Sequence, residues 1–408
     1  MTEESRDGEP MMDPSSSGSG VRVQVVDLRP AENFSPELES LRGWAILLVF
    51  LYHADFAIVG AGRVGIEVPL VQAFMTAGHT GVTLFFVLSA YLLSRPFLEQ
   101  ATGGRRVRLT GFLARRVMRI MPLYSVAVVL AVLLCMDEPG VLMAGVRSLL
   151  FLTSFTGVAH SLLPYNAVWW SLAVEAQFYF LLIGLGLCLR SRAGRGVVIA
   201  ILIAWASAYW ILLTDHSLVS WETHLQLSLT ILGRAPAFLA GVIAAWVVSR
   251  FGVRLKESAH DSVVLTKGGA DLLLMGALLA LGLILQDVTR LGFFEAEILW
   301  TVWHLGESML WAVIMMLVIL TPMKLASVIS NQVMATIGLL SYSMYLVHEP
   351  ILHFGLTWII ERGVPIEEAL MLRAGVLIGA FCFCLAISAA SYRWIERPFL
   401  ERKAHVIR

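Results

Sequence analysis

From Leu41 onward the chain is a succession of apolar segments, each long enough to cross a hydrocarbon layer of roughly 30 Å and each parted from the next by a short polar interruption. A segment in lipid has to satisfy its backbone hydrogen bonds internally, so each is read as a helix. The segments run approximately 41–59, 79–95, 120–136, 168–189, 196–213, 227–249, 271–286, 303–322, 337–358 and 371–392. Composition agrees: 58% of residues are hydrophobic, 15% are charged and the mean hydropathy is +0.76, far outside soluble averages. The expected fold class is therefore all-α, a polytopic integral membrane protein with about ten transmembrane helices.

Loop charge sets the orientation, because Lys and Arg beside a span are retained on the cytoplasmic side. With the N-terminus inside, the loop before the third span holds Arg95, Arg105, Arg106, Arg108, Arg115, Arg116 and Arg119, and most of the remaining Lys and Arg fall on that side too. Outer segments hold only Arg63, Arg147, Arg290 and Arg362. The short apolar stretch 141–156 carries Arg147 in its middle, and if it crossed it would throw much of the inner charge outside. It is expected to lie in the outer interface or to re-enter, which leaves the N- and C-termini both cytoplasmic. Residues 1–35 read as a disordered acidic cytoplasmic tail, 36–400 as one ten-helix membrane domain and 401–408 as a basic cytoplasmic tail.

A charge in the middle of a span costs roughly 2.5–3.5 kcal/mol on insertion scales, so each one needs a reason. In the first span, LRGWAILLVFLYHADF places Arg42 at the cytoplasmic end and His53 eleven residues on. That is about 16 Å and roughly three turns, so both residues share a helix face. In the fourth span, AVWWSLAVEAQFYF holds Glu175 at a depth similar to His53, which suits a carboxylate that orients and activates an imidazole. A structural pair between Glu175 and Arg234 is the alternative. SYSMYLVHEP sets His348 and Glu349 ahead of Pro350, and His348 reads equally as a second functional group or as a histidine bonded to backbone freed by a proline kink. In RRVRLTGFLARRVMRIMPLY, Arg115, Arg116 and Arg119 lie one turn from the start of span three. A guanidinium fork suits phosphate, though topology charge beside anionic lipid would also account for the cluster. Trp169 and Trp170 read as an interfacial aromatic belt and His79 as interfacial. His160, Asp215, His216 and His224 are isolated residues of outer loops.

Cys135, Cys188, Cys382 and Cys384 all sit in apolar runs and read as small hydrophobes. No metal-ligand spacing, Walker sequence, dinucleotide fingerprint or nucleophile elbow is present in the sequence. Thirty Lys and Arg balance 30 Asp and Glu, which excludes a nucleic-acid partner. What remains is histidine, carboxylate and arginine, a set that also suits a transporter or flippase of an anionic or lipid-linked metabolite.

The segments LESLRGWAILLVFLYH, GVTLFFVLSAYLLSRPF, FLARRVMRIMPLY, VWWSLAVEAQFYF, RAPAFLAGVIAA and SYSMYLVHEPIL, in that order, resemble the acyltransferase-3 family of integral membrane O-acyltransferases over residues 36–400. Ala90 stands where that family usually has glycine. The resemblance implies an enzyme of the bacterial plasma membrane that takes a short acyl group from cytoplasmic acyl-CoA, acetyl-CoA foremost. The acceptor it implies is a hydroxyl on a surface or lipid-linked glycan or on a glycosylated small molecule. It further implies that Arg42 and His53 are the essential pair of the first helix, that Arg116 and Arg119 form an Arg-x-x-Arg involved in acyl-CoA handling, and that Glu175 is the glutamate of the fourth helix. The combined expectation is that Arg42, Arg115, Arg116 and Arg119 bind the acyl-CoA. His53 then acts catalytically, oriented by Glu175 and accompanied by His348, without a metal. Whether His53 serves as base or itself carries the acyl group stays open.

Overall fold

The computed structural model describes residues 35–59, 68–104, 106–155, 166–214, 221–291, 299–364 and 370–406. The expected acidic tail lies outside the described residues except for Ser35, as do His160, Asp215 and His216. Ser35–Arg408 forms one unit, and every regular element described in it is helical.

Nine helices among the described residues are long and apolar enough to cross a membrane. The first is α1, Pro36–Val59; a short α2, Leu70–Thr76, leads into α3, Thr80–Ala101, and α4, Leu109–Leu134, follows. Next comes α5, Val141–Leu149, whose nine residues extend about 14 Å, too little to cross, as the charge argument requires. A 3-10 turn, Ala167–Trp169, opens α6, Trp170–Cys188, and then come α7, Arg192–Thr214, and α8, Trp221–Ser228. The long α9, Ile231–Asp261, is followed by α10, Ala270–Leu291, and α11, Leu299–Leu320. Three further pieces are α12, Ala326–Ile329, α13, Gln332–Leu339, and α14, Ser341–Glu361. The chain closes with α15, Leu370–Ser391, a π-turn at Tyr392–Glu396, and α16, Arg397–Val406.

The expected ninth span differs from its sequence pattern. α14 has spanning length, 21 residues, but His348, Glu349, Pro350 and His353 dilute its apolar run, so it is not one of the nine. Its start is also displaced: the chain turns at Leu340, and the residues before it form the separate α13, capped by Asn331 Oδ1 accepting from the Met334 amide at 3.0 Å. This short helix lies directly on α1. A Cβ placed on Gly43 would stand 2.2 Å from Met334 O, and one on Gly338 would stand 1.8 Å from Glu39 O, so only glycines let these backbones meet. That contact fixes the end of α1 that carries Arg42.

Burial separates inner from outer helices. In α3, 67% of the apolar window is buried, against 6% in α7 and 11% in the window that covers α15. The exposed Ile203, Trp210 and Ile378 are surface that a lipid-facing helix is free to present. A Cβ on Gly241 of α9 would come within 2.6 Å of the Ala90 Cβ, so the methyl at position 90 has its room because the facing residue is glycine.

Candidate active site

Side chains from five helices line a single cleft. α1 supplies Arg42, and α4 supplies Arg116 and Arg119. α3 supplies Phe85, Ser89 and Leu92, α6 supplies Ser171, Glu175 and Tyr179, and α14 supplies Ser341, Tyr342 and Tyr345. The spacing of three and four residues within the sets of α3 and α6, and between Tyr345 and each of Ser341 and Tyr342 on α14, lets these side chains face one way. Four residues singled out in the sequence, Arg42, Arg116, Arg119 and Glu175, thus converge from three helices. Arg115, about 100° round the helix from Arg116, is not among the residues that line the cleft.

The arginines differ in how they are held. Arg42 donates from Nη1 to Glu39 Oε1 at 3.3 Å and from Nη2 to Ser341 Oγ at 3.1 Å. Arg116 Nε is buried and has no acceptor. Burying a donor without a partner is costly, and a ligand oxygen in the cleft would remove that cost. Glu175 Oε1 accepts from Ser89 Oγ at 2.6 Å.

Beyond the Tyr345 end of the cleft stand two imidazoles. His53 Nδ1 lies 2.8 Å from Val49 O, and His348 Nδ1 lies 3.1 Å from Met344 O and 3.0 Å from Tyr345 O. A carbonyl oxygen can only accept, so both Nδ1 atoms carry a proton, and in its neutral form each ring presents an Nε2 lone pair. The ring centroids are 5.0 Å apart at 73°. His348 is fully buried and its Nε2 has no hydrogen-bond partner. The carbonyl deprived of its donor by Pro350 belongs to Leu346, and His348 bonds to neither its oxygen nor a broken helix, since α14 continues through the proline.

The expected bond between Glu175 and His53 is not formed. Glu175 is engaged by Ser89, whereas His53 engages Val49 and meets His348 edge to face. Equal depth on two helices says nothing of which way each side chain turns. Glu349 is engaged elsewhere, its Oε2 accepting from the Val168 amide at 3.2 Å. Tyr345 OH donates to Val168 O at 2.6 Å and lies 2.7 Å from Ser171 Oγ. α14 thereby fastens the start of α6, the helix that presents Glu175.

A second polar set, which sequence reasoning missed, lies among α3, α9 and α11. Glu307 is fully buried; its Oε2 accepts from Thr83 Oγ1 at 3.0 Å, and its Oε1 lies 3.7 Å from His79 Nε2. Arg234 donates from Nε to Ser228 O at 2.8 Å and from Nη1 to His304 Nδ1 at 3.2 Å. Since a guanidinium can only donate, His304 is a neutral ring with its proton on Nε2. Arg234 and Glu307 then balance in charge. Arg234 also lies 4.9 Å over the Trp170 ring. Three expectations are corrected here: His79 is drawn into this network, Arg234 does not pair with Glu175, and the tryptophans do not form a free interfacial belt, since Trp169 is 4% exposed and the half-buried Trp170 is covered by Arg234. The overlooked signal was WHLGESML, two ionisable residues three apart inside an apolar span. Among the described residues no group of three or more His, Cys, Asp or Glu is arranged to hold a metal ion.

The acyltransferase-3 family model, described as an acyltransferase domain, matches residues 35–392. The chain belongs to this family. It is similar to the peptidoglycan O-acetyltransferase OatA of Listeria monocytogenes, 26% identical over 398 residues, covering 91% of this chain and 56% of that protein. It is also similar to the O-acetyltransferase OatA of Staphylococcus aureus strain NCTC 8325, 21% identical over 387 residues, covering 90% of this chain and 58% of that protein. The chain therefore spans little more than half the length of these relatives. No solved structure matches it. An all-α multi-pass membrane protein of the acyltransferase-3 family is thus in hand, with an arginine-lined cleft leading towards an imidazole pair.

Proposed function

We propose that this acyltransferase-3 protein is an O-acyltransferase of a bacterial plasma membrane that moves an acetyl-sized group from cytoplasmic acyl-CoA to a hydroxyl of a carbohydrate-containing acceptor. The observation that carries the reading is the cleft itself: Arg42, Arg116 and Arg119 line it together, with the Arg116 Nε donor unpartnered. Planar forks of this kind suit phosphate oxygens. The printed names of the two relatives, both O-acetyltransferases and one of peptidoglycan, support the acetyl group and the glycan. Loop charge supports a cytoplasmic location for the Arg42 end and for both termini.

In this reading the phosphates rest at the arginines and the pantetheine arm follows the stripes of α3 and α6 towards Tyr345. His53 Nε2 takes the proton of the acceptor hydroxyl as its oxygen bonds to the thioester carbon. The C–S bond breaks, and the same proton passes to the departing thiolate, so none is consumed. The buried Nε2 of His348 is a neighbouring lone pair that steadies the transient imidazolium. General-base catalysis of this kind is worth about 10²–10⁴ in rate.

The test uses detergent-purified protein with acetyl-CoA and a panel of glycans and glycosylated small molecules, following both thiol release and product mass. His53→Ala protein that stays folded is expected to lose at least a hundredfold in transfer; full transfer would end the proposal. Movement of a substrate across a vesicle wall with no covalent change would favour the transporter reading instead.

A further inference from the structure

The cleft and the imidazoles are not continuous. Phe85 and Tyr345 line the cleft, whereas His53 and His348 do not. The Phe85 and Tyr345 rings meet edge to face with centroids 6.2 Å apart at 77°, within the 4.5–7 Å of a contacting aromatic pair. Tyr345 in turn lies 5.7 Å from the His348 ring. The aromatic pair therefore stands across the way from arginines to imidazoles.

The two rings are not equally free to move. Tyr345 is held through its hydroxyl by Val168 O and Ser171 Oγ. Phe85 is only half-buried and has no polar tether. Val49 and Met344, whose carbonyl oxygens hold the two imidazoles, are both at 0% exposure, so on the side that faces the cleft an acyl chain gains room where the Phe85 ring stands.

We infer that Phe85 is the residue that sets acyl-chain length: its ring swings aside to admit the thioester, and the volume it keeps excludes longer chains from the imidazole pair. This rests on the acyl-CoA reading above. Relief of the exclusion follows apolar burial, about 0.8 kcal/mol or fourfold per methylene. Butyryl-CoA, two methylenes longer than acetyl-CoA, is therefore expected to gain about 15-fold in kcat/KM relative to acetyl-CoA when the ring is removed.

The experiment measures acceptor-dependent thiol release from acetyl-, butyryl- and hexanoyl-CoA by the full chain in detergent, comparing the unaltered protein with Phe85→Ala, Phe85→Leu and Phe85→Trp. The butyryl-to-acetyl ratio is expected to rise about 15-fold with alanine, to rise less with leucine, and to fall with tryptophan. Leucine and tryptophan carry the test if the alanine variant does not fold. A ratio within twofold of the unaltered protein in every active variant would overturn the inference and show Phe85 to be packing alone. If the unaltered protein released no thiol from any of the thioesters, the donor reading would fall and this inference with it; release with an unchanged ratio removes the inference only.

Discussion

Arg116→Ala is the substitution whose consequence can be followed furthest from geometry to number. Because Arg116 Nε has no acceptor in the ligand-free protein, removing the side chain breaks no bond at that atom. Arg42 differs, since its loss would also release Glu39 and Ser341. The effect of Arg116→Ala should therefore appear in donor binding. A hydrogen bond to a charged group contributes about 1.5–3 kcal/mol, which corresponds to about 10- to 150-fold in the KM for acetyl-CoA. The phosphates are remote from the reacting carbonyl and are held equally in ground and transition states, so kcat should stay within about threefold. Initial rates of thiol release against acetyl-CoA concentration give both constants. Repeating them with acetyl-pantetheine, which has no nucleotide phosphates, closes a double cycle in which Arg116→Ala should barely affect the truncated donor. An unchanged KM with kcat reduced a hundredfold would refute the assignment of Arg116 to phosphate binding, as would a variant that still discriminates fully between the two donors.

Other outcomes follow from the same contacts. Glu307→Ala leaves the buried Thr83 hydroxyl without its acceptor and should cost about 1–3 kcal/mol, read as a lower unfolding temperature in detergent; Glu307→Gln, which keeps an acceptor for Thr83, should cost less, and equal stability of all three proteins would contradict the network. Gly338→Ala forces a Cβ against Glu39 O and should cost at least the ~1–3 kcal/mol of core overpacking, with loss of donor binding because Arg42 is displaced. An unaltered unfolding temperature would show that α13 does not bear on α1 so closely. Glu175→Gln should leave the rate at which an imidazole-directed acylating reagent modifies His53 unchanged, because Glu175 bonds to Ser89; a tenfold slower modification would restore its orienting role.

Much of the architecture is legible in the sequence because hydropathy over a spanning length depends on few competing choices. The charge argument places 141–156 outside the set of spans, and α5 is indeed a short helix. Arg42, Arg116, Arg119 and Glu175 are recognisable as costly residues, and all four line the cleft. His348 is legible as an intramembrane histidine but not as the neighbour of His53, because two helices distant in sequence share no spacing. The pairing of Glu175 with His53 fails for the same reason: rise per residue gives depth, whereas azimuth is set by packing. The turn at Leu340 carries no glycine or proline to announce it, and only Asn331 gives a visible cap for α13. His304 and Glu307 stand three apart in one span, but nothing in the spacing joins them to His79, Thr83 and Arg234 until three helices bring them together.

The central claim is that a thioester donor, gripped by arginine, reaches the imidazole of His53 from the Arg42 end of the bundle. Cryo-electron microscopy of the full chain with a non-hydrolysable acetyl-CoA analogue tests it directly. Phosphate density is expected against Arg42, Arg116 and Arg119, with the Phe85 ring displaced and the acetyl group lying beside the Nε2 edge of His53. Phosphates bound elsewhere, or an acyl group that ends away from His53 while the arginines are occupied, would contradict it.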